Sequence, residues 1–209
     1  MTTTVNTAVP SYVADGVLTD GEAWVPLSTT VFTGDANNVT LESSTGANDW
    51  SQYMDLILII NARNDYGDVG NAASYLIYAH FNDDATSANY KFERFYATGS
   101  STGIAQFLTG ASGFIVGQSV AINDVDVFGG STCTLSDINS GKYKVGRMNA
   151  ANATDDATYQ NVTMNGSFWA GTEAITKIKI YADTGGTYNF VADTRIDLFG
   201  VLPRMVNAW

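Results

Sequence analysis

The stretch Met54-Asp-Leu-Ile-Leu-Ile-Ile-Asn-Ala62 constrains the fold more than any other part of the chain. At strand period, Met54, Leu56, Leu58 and Ile60 fall on one face, and Asp55, Ile57, Ile59 and Asn61 on the other. The second face is apolar in the middle and polar at its ends. A strand apolar on both faces is covered on both sides, so it belongs mid-sheet in a two-layered structure. Its isoleucines suit a pleated surface. It is too short for a membrane helix, which needs roughly 20 apolar residues.

The remaining segments repeat this style. Strands are expected at Val39–Glu42, Tyr75–Phe81, Tyr90–Tyr96, Phe114–Val116, Ser119–Ile122, Asp126–Phe128, Ser131–Leu135 and Tyr143–Met148. Further strands are expected at Tyr159–Met164 and Ser167–Trp169, as two strands or one bulged strand, and at Ile175–Tyr181 and Thr194–Gly200. Tyr75–Phe81 and Tyr90–Tyr96 read as an antiparallel hairpin around the Asx-rich loop Asn82–Asn89, and Gly117 reads as a turn between two short strands. No i, i+3, i+4 apolar pattern is long enough for a helix. Many short strands separated by Gly and Asx turns give an all-β, antiparallel β-sandwich, jelly-roll-like, with a strand near each end pairing with the other. The expected organisation is an extended N-terminal arm over residues 1–27, one sandwich domain over 28–202 and a C-terminal tail over 203–209.

The first segment differs from the rest. It holds Pro10 and Pro26, two of the three prolines, and no sustained period. Tyr12, Val13, Val17, Leu18 and Trp24 are too apolar for a solvated tail, so they are expected to bind a partner. The alternative for Trp24 to Phe32 is a first edge strand of the domain. Trp209, beyond the last strand, is a further candidate for packing between subunits.

Composition narrows the function classes. Hydrophobic residues make up 45% and aromatics 12%, enough for a core. Charged residues are only 15%, against a typical ~25%, so Asn, Thr, Ser and Gly must supply the polar surface. Net charge is −11 and the first basic residue is Arg63. Such a chain is a poor partner for nucleic acid, whose phosphates need Lys and Arg. Cys133 is the single cysteine, reads as a small buried residue and cannot form an internal disulfide. Met1-Thr-Thr-Thr-Val has neither a basic n-region nor an apolar h-region, so synthesis in a cytoplasm and release by lysis or within a particle are expected.

No residue set reads as an active site, and no cofactor or metal site is expected. His80 lies on a strand between Ala79 and Phe81 and reads as a packing residue; one histidine rules out a multi-His zinc site. Asp124, Asp126 and Asp137, or Asn82, Asp83 and Asp84, or Asp155 and Asp156, could gather oxygens for Ca²⁺. None has EF-hand spacing, and such loops read as solvated turns. Tyr66, Tyr75, Tyr78, Tyr90, Tyr96 and Trp169 could stack on sugar, though alternation puts about half of them in the core.

Three stretches, in order, resemble a family of single β-sandwich domains in structural proteins of tailed-phage virions. Tyr53–Arg63 resembles its first core strand. Phe81-Asn-Asp-Asp followed by Asn89-Tyr90 resembles its hairpin loop. Phe168-Trp-Ala-Gly, Ile175–Tyr181, Asp183-Thr-Gly-Gly and Ile196-Asp-Leu-Phe-Gly-Val201 resemble its closing signature, with Leu-Phe-Gly-Val where the family usually has Leu-Tyr-Gly-Ile. The match spans about Tyr53 to Val201. The resemblance implies a jelly-roll-like sandwich without enzymatic activity, located on the capsid exterior as a decoration (cement) protein. It implies the major capsid protein as partner and a homo-oligomer such as a trimer, with no nucleic acid and no membrane. The alternative is a receptor- or carbohydrate-binding tail-fibre domain, with a glycan as ligand.

Overall fold

A computed structural model describes residues 1–5, 24–66, 75–98, 102–105, 110–121, 127–152, 160–183 and 185–202, and the backbone of 13–14, 17–18 and 106–107. Fifteen strands make it all-β, with no α-helix among the described residues. They are β1 (Thr2–Val5), β2 (Val13–Ala14), β3 (Val17–Leu18), β4 (Trp24–Val31), β5 (Asn38–Glu42), β6 (Asp55–Asn64), β7 (Tyr75–Phe81) and β8 (Tyr90–Thr98). Then come β9 (Thr102–Phe107), β10 (Phe114–Ala121), β11 (Gly129–Ser136), β12 (Lys144–Asn152), β13 (Asn161–Trp169), β14 (Lys177–Tyr181) and β15 (Arg195–Val201).

A long antiparallel run in the order β9-β8-β13-β12-β11-β6-β15-β4-β1 forms one layer. The run β10-β7-β14-β5 forms the other, joined to β6 through a short parallel pairing of β10. β2 and β3 pair only with each other.

β6 is mid-sheet as its pattern predicts, flanked by β11 and β15. Leu56, Leu58, Ile60 and Ala62 point into the core. Each large apolar side chain there contributes roughly 1.5–3 kcal/mol of burial. Its other face is only partly covered: Ile57 is buried, Ile59 half-buried and Asn61 exposed. The strand wholly buried along its length is β10. Gly117 makes no turn there. Residues 114–121 are one strand with a bulge between Ile115 and Gly117. A Cβ on Gly117 would lie 3.1 Å from Ser131 Oγ, so this glycine marks a close approach to β11. Asn161–Trp169 is one strand, the second of the two alternatives, and Val127 and Phe128 lie outside any strand.

The last strand, β15, lies between β4 and β6, whereas the first expected strand, Val39–Glu42, pairs with β14 instead. Trp24–Val31 belongs to the sheet, with Val25 and Leu27 buried, but it lies between β15 and β1 and is not an edge strand; β1 takes the edge.

The hairpin expected from β7 and β8 does not exist. β7 pairs with β10 and β14, and β8 with β13 and β9. Asn82–Asn89 therefore carries the chain from one layer to the other. The reason is long-range. Asn82 sits at φ 49°, its Nδ2 donates to Ala174 O (2.8 Å), and its Oδ1 accepts from the backbone N–H groups of Thr176 (3.0 Å) and Lys177 (3.2 Å). Tyr90, fully buried, donates its hydroxyl to Asp84 O (2.7 Å) and accepts from Phe81 N (3.1 Å). Asn82→Ala removes four hydrogen bonds, the fourth from Thr176 Oγ1 (3.3 Å), and places a residue with a Cβ but no local partner at positive φ. Urea denaturation should show a loss of about 2–4 kcal/mol. A loss below about 1 kcal/mol would mean the crossover is held elsewhere.

Candidate interaction surfaces

The alternation of β8, β12 and β13 sends Tyr90, Phe92, Met148, Ser167 and Trp169 inward and leaves the opposite set on the outer face of the long layer. That outer set is unusually apolar. Ile104 (64% exposed), Phe95 (58%), Val162 (58%) and Met164 (57%) lie on adjacent strands. Ile104, Phe95 and Met164 are direct cross-strand partners, and Val162 pairs with Ala97 and Ala151 in the next outward row. Exposed apolar patches of this kind mark interaction sites. Next to them runs the row Glu93, Gly166, Arg147, also in direct register and all exposed. Glu93, Phe95, Arg147, Met164, Asn165 and Gly166 line a shallow groove of about 320 Å³ floored by the glycine.

A second cleft, of about 460 Å³, opens where β1 faces β5 and β14. Lys177 occupies it, paired with Glu42 (3.1 Å) and Asp83 (2.9 Å), and these hydrogen bonds hold its amine above the ordinary lysine range. Its charges are already matched, so it offers little to a ligand.

At the end of the sandwich where β6 leaves the sheet and β7 enters it, three tyrosines meet. Ring centroids are 4.6 Å apart for Tyr66 and Tyr75, 4.9 Å for Tyr66 and Tyr188, and 5.3 Å for Tyr75 and Tyr188. All three are half-buried. Asp65 fixes the adjoining strand end, accepting from Asn189 N and Asn189 Nδ2, both at 2.7 Å.

Inside, the half of the interior under β8 and β13 is polar. Arg94 lies half-buried 4.8 Å from the Tyr96 ring, in register with Asn165. Burial lowers its pKa, countered by Tyr78 and Tyr96. Burial likewise raises Tyr78, partly offset by Arg94 and reinforced by Asp183. Gln118 donates to Thr163 Oγ1 (3.0 Å), and Asn165 to Ser167 Oγ (2.7 Å). Arg94 Nε, Gln118 Oε1 and Asn165 Oδ1 are shielded and make no hydrogen bond to a described residue. This pattern of donors and acceptors suits ordered water.

The residues singled out for chemistry have structural partners. His80 Nε2 lies 2.9 Å from Ser112 O, and its ring stacks on Tyr90 (5.5 Å) and meets the edge of Tyr181 (5.0 Å). Burial pushes the Asp84 carboxyl up, but hydrogen bonds from Trp169, Asn89 and Thr86 outweigh it and hold the carboxyl below its ordinary value. Asp55 accepts from Asp137 N (2.7 Å). Among the described residues no three His, Cys, Asp or Glu side chains gather to hold a metal. Asp124, Asp126, Asp155 and Asp156 lie outside the described residues.

Of the expected partner-binding residues, Tyr12 and Trp209 lie outside the described residues, and only the backbone is described for Val13, Val17 and Leu18. Trp24 is 47% exposed on the outer face of β4, 6.2 Å from the Phe199 ring. Of the six aromatics considered for stacking, Tyr90 and Trp169 are core, while Tyr66, Tyr75, Tyr78 and Tyr96 are half-buried. Tyr188 was not foreseen, because it follows a Gly turn outside any strand. The apolar outer face was legible in part: alternation against Lys91 and Glu93 places Phe95 outward and Arg94 inward. No family model and no curated protein matches this chain.

Proposed function

We propose that this chain is a non-enzymatic structural protein of a tailed-phage virion, a capsid decoration (cement) protein on the capsid exterior whose partner is the major capsid protein. One observation carries the reading as an assembly protein: the exposed apolar band Ile104, Phe95, Met164 and Val162 on a broad sheet face. A sheet face with four large apolar side chains half or more exposed is suited to lie against protein. The virion assignment rests on the resemblance of Tyr53–Arg63, Phe81–Asp84 with Asn89-Tyr90, and Phe168–Val201. The jelly-roll winding, synthesis in a host cytoplasm and a docking role for Tyr12, Val13, Val17, Leu18, Trp24 and Trp209 belong to the same proposal. Saturable co-sedimentation with undecorated capsids of the parent particle is the expected result. A protein that ignores those capsids at ~10 µM overturns the reading.

The tyrosine cluster favours one second reading, a carbohydrate-binding tail domain in which Tyr66, Tyr75 and Tyr188 stack on a sugar ring. Glycan-array binding lost in Tyr75→Ala, with no capsid binding, would select it.

A further inference from the structure

We propose that the outer face of β8, β13 and β12 is a two-fold contact with a second copy of this chain. The inference rests on reading the chain as an assembly protein that works through its surfaces. It comes from the order of charges in one cross-strand row. Glu93 pairs with Gly166, and Gly166 with Arg147, so an acid and a base flank a glycine at equal spacing. Strands lie about 4.8 Å apart, which puts the two charged residues about 10 Å apart at the backbone. Neither makes an ion pair with a described residue. Nothing lies within 4 Å of where a Gly166 Cβ would be, so the space above the glycine is open.

A closed pair of identical chains uses the same patch on both sides. For two sheet faces to meet, the axis must lie in the plane of contact. An axis across the strands would set Glu93 over its own copy and Arg147 over its own copy. An axis along β13 sets each Glu93 over the partner's Arg147, giving two ion pairs. The same axis brings Met164 and Val162 against their own copies and lays Phe95 over the partner's Asn149, since Phe95, Met164 and Asn149 form the adjoining row. Charge order and apolar order thus select one geometry. In a chain of net charge −11, such a self-complementary patch also avoids the like-charge repulsion that most of the surface would impose.

The test is sedimentation velocity from about 1 to 100 µM on the whole chain, with E93R, R147E and the E93R/R147E pair. Wild type is expected to be a dimer or an even multiple. Each single reversal should weaken association about 100-fold, and the pair should recover to within about 10-fold. Mixing E93R with R147E should also restore association, because each supplies the sign the other lacks. Circular dichroism melts identify any variant that fails to fold. The proposal is overturned by a wild-type monomer at 100 µM, by a three-chain mass, or by folded variants that associate equally well. A wild-type dimer that ignores capsids would instead sink the decoration reading and leave the contact standing.

Discussion

Trp169→Ala should lower stability by about 3–5 kcal/mol, the range for removing a fully buried tryptophan. Trp169 is the last residue of β13, fully buried, and its ring meets Phe81 at 5.3 Å and 61°. Its Nε1 donates to Asp84 Oδ2 (2.7 Å), so it also secures the crossover between layers. A Cβ on Gly171 would come within 2.2 Å of the ring, so the chain folds tightly over the indole. Truncation leaves a cavity beneath a loop that has lost its anchor, and collapse of one layer cannot fill it without moving the other. Trp169→Phe keeps most of the packing and should cost only about 1–2 kcal/mol, mainly the lost hydrogen bond. The two variants also separate by pH. Because the folded Asp84 pKa is depressed, its contribution is present above the ordinary carboxylate pKa and is lost as pH falls through the folded value. Trp169→Phe should therefore lose less stability than wild type as pH drops below about 4. Urea titrations at pH 7 and pH 3 measure both effects, and equal acid sensitivity would show that the indole does not tune Asp84.

The second large effect is alkaline. Cys133 is wholly buried on the inner face of β11, and burial alone pushes its thiol up to about 12. Burial also raises the hydroxyl of Tyr90, reinforced by nearby acidic groups and opposed by its hydrogen bond to Phe81. Unfolded, the thiol titrates near 8.5 and tyrosine near 10. Above those values the unfolded chain releases protons that the folded chain keeps, so stability falls as pH rises. The slope is about 1.4 kcal/mol per pH unit for each group. From pH 8 to 11 the combined loss should reach about 5 kcal/mol, comparable to the whole stability of many domains. Cys133→Ala should flatten the curve between about pH 9 and 10, below the range in which the tyrosine hydroxyls titrate. Urea midpoints measured across this range decide it. A wild-type curve flat to pH 11 would mean that the thiol and the hydroxyl are solvated in the folded protein.

The local part of this structure follows from side-chain order along the chain. Period-2 alternation is written into each strand, so the inward face of Met54–Ala62, the outward Lys91 and Glu93, and the all-β class all follow from side-chain order alone. Central placement of β6 follows too, because its run of isoleucine and leucine needs cover. Which strands pair is settled only when distant segments meet. Tyr75–Phe81 and Tyr90–Tyr96 have patterns equally fit for a hairpin or a crossover. The choice lies in Asn82, whose partner Ala174 is 92 residues away. Gly117 looks like a turn in sequence and is a close contact in space, because only β11 packed beside it reveals the missing room. The row Glu93, Gly166, Arg147 is likewise invisible in sequence, where its members lie on three separate strands. Register across a sheet is a long-range property, set by hydrogen bonds and packing between distant segments, while alternation is fixed by the chain's own geometry.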